Sequence, residues 1–408
     1  MNRENRIIPV LRFPEFVKEG EWVENIVSQV ADYENGKAHE QDIAEKGKYV
    51  VVNSKFISTD GEVRKFSNSA NCLAKKDEIL MVLSDVPNGK AIAKCFYVDR
   101  DNVYTVNQRI CKITPTHAHS TILYYLLNRN SYFLSFDDGV KQTNLRNEDV
   151  LNCPIILPKN KEEQQKIASC LSSLDELIAA HTDKLEALKV HKKGLMQNLF
   201  PQEGQKVPNY RFPEFEKDGE WVEKKLGSIG EPLMCKRIFK DQTTPNSENG
   251  VPFYKIGTFG KEADSYIPVE IYGEFKAKYN FPNKGDILIS ASGTIGRLVI
   301  YDGSPAYFQD SNIVWLGHDG KQVTNEFLYY CYSIVNWQTS DGGVIKRLYN
   351  SDLKNVSICF PENEKEQLKI ALCLSALDKL IAAQSEKIEQ LQKHKKGLMQ
   401  GLFPRIYK

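Results

Sequence analysis

Polar donors gather at a few places in the two middle stretches of this chain. Lys141, Gln142, Thr143 and Asn144 make a donor-rich run in the first middle. Lys346 and Arg347 stand in the corresponding place in the second, where GVIKRL from Gly343 echoes GVKQTNL from Gly139. Such groups bind phosphate or, for Gln, Asn and Arg, read base edges through paired hydrogen bonds. An exposed loop would carry the same residues. Lys90 and Arg297 sit beside glycines that permit close backbone approach, in PNGK from Pro87 and SGTIGR from Ser292. Gln108 and Gln309 lie at comparable distances beyond those turns and fit either a reading role or the capping of a core strand.

Known catalytic patterns are missing from the sequence. Gly257 to Lys261 is too short for a phosphate loop and lacks the Ser or Thr that would hold magnesium. Neither a nucleophile elbow, a zinc-binding HExxH helix nor a strand followed by GxGxxG is present. His117 and His119 alternate, but nothing nearby supplies further metal ligands, so they are expected at the surface. Nine cysteines occur without a CxxC pair, and the odd count argues against a disulfide framework. They are expected as buried small hydrophobes, Cys170 and Cys373 among them. No catalytic residue and no metal site is therefore assigned. The formal charge of +1 is low for a protein that grips DNA alone, since Lys and Arg contacts to phosphate supply most nonspecific affinity. With no run resembling a signal peptide and no apolar stretch near the roughly 18 residues of a membrane span, a cytoplasmic location is expected.

The elements that must position those polar groups occur twice. RFPEFVKEGEWVE from Arg12 to Glu24 returns as RFPEFEKDGEWVE from Arg211 to Glu223. The run from Glu163 to Pro201 returns from Glu366 to Pro404, both copies ending in HKKGLMQ, one more residue, then LFP. A repeat on the scale of half the chain is too long for a solenoid, whose units run about 20 to 50 residues. It means duplicated domains, with a shared frame and divergent middles. The middles read as mixed α/β, with strand-like runs EILMVL from Glu78 and DILISA from Asp286. Trp22 and Trp221, in the repeated entry segments, are expected as core anchors.

Each copy closes on a long helix. Leu171, Leu174, Ile178, Leu185, Leu188, Leu195 and Leu199 fall at the alternating three and four spacing of a coiled-coil seam. Leu374, Leu377, Ile381, Ile388, Leu391, Leu398 and Leu402 hold the same places in the second copy. Both seams break at matching points, His181 with Lys192 and Gln384 with Lys395. His181 and Gln384 are candidates for fixing register. The doublets Lys192–Lys193 and Lys395–Lys396 fit complementation of the helix dipole or contact with a partner subunit or phosphate. Pro158 and Pro361 precede the helices, and Pro201 and Pro404 stop them. Connectivity requires the seams, if they pack on each other, to run antiparallel. That gives an approximate twofold axis and a circular arrangement, with the C-terminus returning to the first domain. At about 1.5 Å per residue each helix spans on the order of 55 Å, so the pair has the form of a ruler. A proline at Leu185 or Ile388 is expected to distort it.

With the RFPEF and GEW segments, the helix entries EQQKIASCL from Glu163 and EQLKIALCL from Glu366, and the HKKGLMQ ends, the chain resembles the specificity subunit of Type I restriction-modification systems. The resemblance covers essentially the whole length. It implies target recognition domains of one α/β (α+β) fold at 1–157 and 202–360, with conserved spacer helices at 158–201 and 361–408. Each recognition domain would read one half of a split site in double-stranded DNA, while the helices set the spacing. Two modification (methyltransferase) subunits would dock on the frame, and added restriction (endonuclease, translocase) subunits would complete a nuclease. S-adenosylmethionine, ATP and Mg2+ would belong to those partners, which also explains the missing motifs and the neutral charge. The divergent middles imply half-sites of different sequence. Two other readings compete. A protein–protein scaffold would leave a host methylation map unchanged when a middle is exchanged, and an autonomous nuclease would cut DNA by itself with a metal ion.

Overall fold

Short apolar runs, buried along their whole length, form the central strands of this protein's heads. The computed structural model describes residues 7–39, 42–337 and 347–404. It divides into two units, the first holding the chain up to Asp183 together with the chain from Glu386, the second Lys184–Ser385.

In the first unit the strands are β1 (Val23–Ile26), β2 (Ala31–Asn35), β3 (Tyr49–Val52), β4 (Phe66–Ser67), β5 (Ile79–Val82), β6 (Ser84–Asp85), β7 (Cys95–Tyr97), β8 (Tyr104–Val106), β9 (Ile110–Pro115), β10 (Thr143–Asn144) and β11 (Pro154–Leu157). An antiparallel sheet runs in the order β2-β9-β5-β7, and a second runs β4-β3-β8 with β3 and β8 parallel. β1 pairs with β11 and β6 with β10. The second unit has β12 (Val222–Lys225), β13 (Glu231–Leu233), β14 (Gly250–Tyr254), β15 (Tyr266–Pro268), β16 (Ile287–Ser290), β17 (Leu298–Ile300), β18 (Tyr307–Phe308), β19 (Ile313–Gly317) and β20 (Ser357–Phe360). Its sheets run β13-β19-β16-β17 and β15-β14-β18, again with one parallel pair, and β12 pairs with β20. The expectation of one α/β fold used twice holds for the sheets, except that the β6–β10 ladder of the first unit is replaced in the second by a single bridge between Ser292 and Arg347.

Period-two alternation explains why β5 lacks a polar residue. Ile79 and Met81 enter the core that holds Trp22 and Phe133, while Leu80 and Val82 enter the one around Phe56 and Tyr104. In β16, Ile287 and Ile289 point to the core of Trp221, and Leu288 to that of Trp315. The strand-like runs EILMVL and DILISA are thus central strands covered on both faces.

Four helices position these heads: α1 (Ser120–Leu127), α2 (Lys161–Leu199), α3 (Asn325–Ile334) and α4 (Glu364–Leu402). The repeated entry segments are tied to the long helices by the same buried cluster in both units. Arg12 donates to both carboxylate oxygens of Glu163 at 2.8 Å, and the Trp22 indole N–H donates to Oε1 at 3.2 Å. Arg211 and Trp221 do the same to Glu366 at 2.8, 2.6 and 3.3 Å. The neighbouring glutamine ties the helix start to the head, for Gln164 accepts from His119 N and donates to Pro158 O. Gln367 accepts from Thr324 N and donates to Pro361 O. These bonds are the physical content of the repeated Glu–Gln entry.

Within each unit a segment of α2 lies antiparallel to one of α4. In the first, Lys395 pairs with Asp175, and Phe403 beyond it stands edge-on to Trp22, whose partner Glu163 begins α2. In the second, Lys192 pairs with Asp378, and Phe200 stands edge-on to Trp221, whose partner Glu366 begins α4. The predicted seam positions are the sheltered ones. Leu171, Leu374 and Leu391 are buried, and Leu174, Ile178, Leu185, Leu188, Leu195, Leu377, Ile381, Ile388 and Leu398 are half-buried.

Lys192 and Lys395 neither complement a helix end nor stand free for a partner; each is held by a carboxylate of the chain itself, while Lys193 and Lys396 are exposed. Cys170 and Cys373 are half-buried rather than core residues, because they lie beside the seam and not on it. His119 is only half-exposed: its backbone caps onto Gln164 and its ring meets Gln165, whereas His117 is exposed as expected.

Candidate nucleic-acid interface

In the first unit the donor-rich run is brought to one end of the four-stranded sheet. The β6–β10 ladder pairs Thr143 with Asp85 and Asn144 with Ser84, and Leu83 N donates to Arg109 O as Leu145 N donates to Leu83 O. Gly36 N and Lys37 N bond to Ile110 O and Val106 O, which adds the end of β2 to the same region. Gln142 Nε2 donates to Ser84 Oγ at 2.7 Å and to Asn144 Oδ1 at 3.3 Å. Tyr33 and Asn35 converge on Asn147 Oδ1 at 2.9 and 3.2 Å. Lys90, Gln108, Lys141, Gln142 and Asn144 are exposed here, while Thr143 is buried and holds the ladder. This face is built of amides and spaced lysines. The sequence reading missed Arg109, adjacent to Gln108, and the Asn35–Asn147 pair, which only the fold brings together.

At the equivalent sheet end in the second unit the chemistry is different. Arg347 bridges to Ser292 where unit one has its β6–β10 ladder, and its Nη2 donates to Ser311 O at 2.6 Å. Ser292 Oγ donates to Asn312 Oδ1 at 2.8 Å. Gln309 Oε1 accepts from Ile256 N at 3.0 Å, so its carbonyl is used internally. Its backbone N donates to the end of β14 as Asn107 N does to the end of β3, which makes Asn107 rather than Gln108 its counterpart. Gln309, Ser311, Asn312 and Arg347 border a cleft of about 510 Å³ whose wall also carries Arg237, Phe239, Lys240 and Lys255. Arg237 pairs with Asp310 at 2.9 Å, and Phe239 is 60% exposed, an apolar ring standing among cations. Ser311 adopts φ +59°, a left-handed conformation uncommon outside glycine, and the Arg347 bond pins it. Lys346 lies outside the described residues. Arg237, Phe239 and Lys240 were not singled out from sequence, because nothing local marks a loop as cleft wall.

The glycines beside Lys90 and Arg297 serve the chain rather than a visitor. A Cβ on Gly89 would collide with the Asp85 carboxylate, which caps Ala91 N and Ile92 N, and one on Gly296 would enter the Trp337 ring. Arg297 itself is half-buried and donates to Phe259 O at 2.9 Å.

A duplicated sheet-and-frame fold with two unlike polar faces defines a class of two-headed binding protein. A model of the family described as the Type I restriction modification DNA specificity domain matches residues 19–190 and 218–393. The chain belongs to this family of type I restriction-modification specificity subunits. It is 42% identical over 276 residues, 67% of this chain and 68% of the relative, to a putative type I restriction enzyme specificity subunit of Haemophilus influenzae. It is 29% identical over 306 residues, 69% and 67% of the two chains, to a putative type I restriction enzyme MjaX specificity subunit of Methanocaldococcus jannaschii. The crystal structure of a Type-I restriction-modification system S subunit from M. genitalium superposes with a TM-score of 0.67 at 16% identity, covering 98% of this chain and all of that one. At that identity the likeness speaks for the fold. Among the described residues no helix is long and apolar enough to cross a membrane.

Proposed function

We propose that this chain is the sequence-reading subunit of a type I restriction-modification complex, with each head reading one half of a split site in double-stranded DNA. The observation that carries the reading is the contrast between frame and face. Arg12–Glu163–Trp22 and Arg211–Glu366–Trp221 are the same cluster twice, yet the sheet ends they support differ in kind. One presents Gln142, Asn144 and Asn147, the other Arg237, Phe239, Lys240 and Arg347. Amides suit adenine edges, guanidinium groups suit guanine, and an exposed apolar ring suits the thymine methyl. A molecule that keeps its frame and varies its faces is reading two different things.

The remaining parts follow from that reading. The helices, packed along their seams as a coiled coil, set the distance between half-sites, and the two copies of the frame dock two methyltransferase subunits. This chain performs no chemistry; S-adenosylmethionine, ATP and Mg2+ act on the methyltransferase and restriction subunits. A chain of net charge +1 leaves much of the phosphate neutralisation to those partners.

The test is binding by the chain assembled with its methyltransferase subunits. One split site is expected to bind far more tightly than a duplex of scrambled sequence, and equal affinity for both refutes the reading. Lys240→Ala, on the exposed rim of the second cleft, is expected to weaken binding to all duplexes alike. It should lower the slope of log affinity against log salt by about 1 while leaving the preferred sequence unchanged.

A further inference from the structure

We propose that two Tyr–Asp–Lys triads, Tyr125–Asp175–Lys395 in the first unit and Tyr330–Asp378–Lys192 in the second, fix the register of the paired helix segments and thereby determine which half-site spacing is accepted. The register claim stands on geometry, and the spacing claim rests on the function proposed above.

Each triad draws one residue from a head and one from each long helix. In the first unit the hydroxyl of Tyr125, on α1, donates to Asp175 Oδ2 at 2.5 Å, and Lys395 of α4 pairs with the other oxygen. The ammonium also lies 4.8 Å from the centre of the Tyr125 ring, within range of a cation–π contact. In the second unit Tyr330, on α3, donates to Asp378 at 2.9 Å, Lys192 of α2 pairs with the same carboxylate, and the ammonium lies 5.6 Å from the ring centre. The carboxylate, the cation and the ring therefore satisfy one another across three elements in both units.

Lys192 and Lys395 are also the positions where the leucine seams break. Interchangeable leucines fit nearly as well after a slip of one heptad, so an apolar seam specifies pairing but not register. A slip would carry each lysine about 10 Å along its partner helix, away from its carboxylate and its ring. The lysine and aspartate side chains keep only 20–40% of their exposure, so separating them leaves partly desolvated charges beside leucine. Because the tyrosine belongs to the head, the same contact seats the head on the helix pair.

The test removes the lock while keeping the seam: Tyr125→Phe, Asp175→Leu and Lys395→Leu, with Tyr330→Phe, Asp378→Leu and Lys192→Leu, in the full chain. The register that the ion pairs define sets Ile178 opposite Leu391, so Ile178→Cys with Leu391→Cys reports that register and Ile178→Cys with Leu398→Cys reports the slipped one. Linked peptides are identified by mass spectrometry. The parent is expected to give the first link, and the unlocked chain both, with a rise in the slipped link of roughly tenfold or more, the ratio equivalent to about 1.4 kcal/mol. Assembled with methyltransferase subunits, the unlocked chain is expected to modify sites whose halves are about three base pairs nearer or farther apart, the length of duplex that a slip of about 10 Å spans. A single link or a single spacing in the unlocked chain overturns the proposal. Should the unlocked chain not fold, Lys395→Asp is compared with the exchanged pair Asp175→Lys and Lys395→Asp: recovery of the parental link in the exchanged pair supports the lock, and equal behaviour overturns it. Absence of split-site methylation by the parental complex instead refutes the functional reading, while the cross-links still decide the register.

Discussion

A chain carrying Glu163→Ala is expected to lose about 3–5 kcal/mol of stability in its first unit, the usual consequence of removing one partner from a buried ion pair. Glu163 is 1% exposed and takes both forks of Arg12 as well as the Trp22 indole N–H. Truncation leaves a guanidinium with a 7% exposed side chain unpaired in the interior and an indole donor without an acceptor. Glu366→Ala should do the same to the second unit, since Arg211 and Trp221 make the same contacts. Replacing both charges together, as Arg12→Met with Glu163→Leu, is expected to recover much of the loss because no isolated charge remains. Urea denaturation followed by tryptophan fluorescence measures this. A loss below about 1 kcal/mol, the range of exposed pairs, would mean that the cluster does not tie the entry segment to the helix.

The second large effect is expected from Leu185→Pro. Leu185 lies well inside a 39-residue helix, where proline removes a backbone hydrogen bond and clashes with the preceding turn, at a cost of about 3 kcal/mol or more. The same residue is half-buried on the seam, so the kink also withdraws apolar surface from its packing. Far-ultraviolet circular dichroism should register lost helicity, and assembly with methyltransferase subunits should fail or yield altered spacing. Full assembly with unchanged spacing contradicts the seam.

The long helices were legible because a spacing of three and four survives whatever they pack against, and the duplication was legible because it is written in identical residues. The central strands could be found as well, for runs such as Ile79–Val82 are apolar on both faces. Sheet order was not legible: pairing β3 with β8 or β1 with β11 joins residues separated by much of a head, and no local pattern encodes it. For the same reason Lys192 and Lys395 were misread. Near a helix end a lysine suggests the dipole, and only the fold places Asp378 and Asp175 beside them. The candidate face divides likewise. Gln142 and Asn144 stood out as a local run, whereas Arg237, Phe239 and Lys240 gain their meaning from a cleft assembled across some 70 residues of chain with Gln309 and Asp310.

Genome-wide methylation mapping of a host carrying this chain with its middle from Asn35 to Asn152 exchanged for that of a relative tests the central claim most directly. One half of the modified site is expected to change to the donor's sequence while the other half stays as it was. A map identical to the parental one would contradict the assignment of the heads as readers of DNA and leave the chain a scaffold.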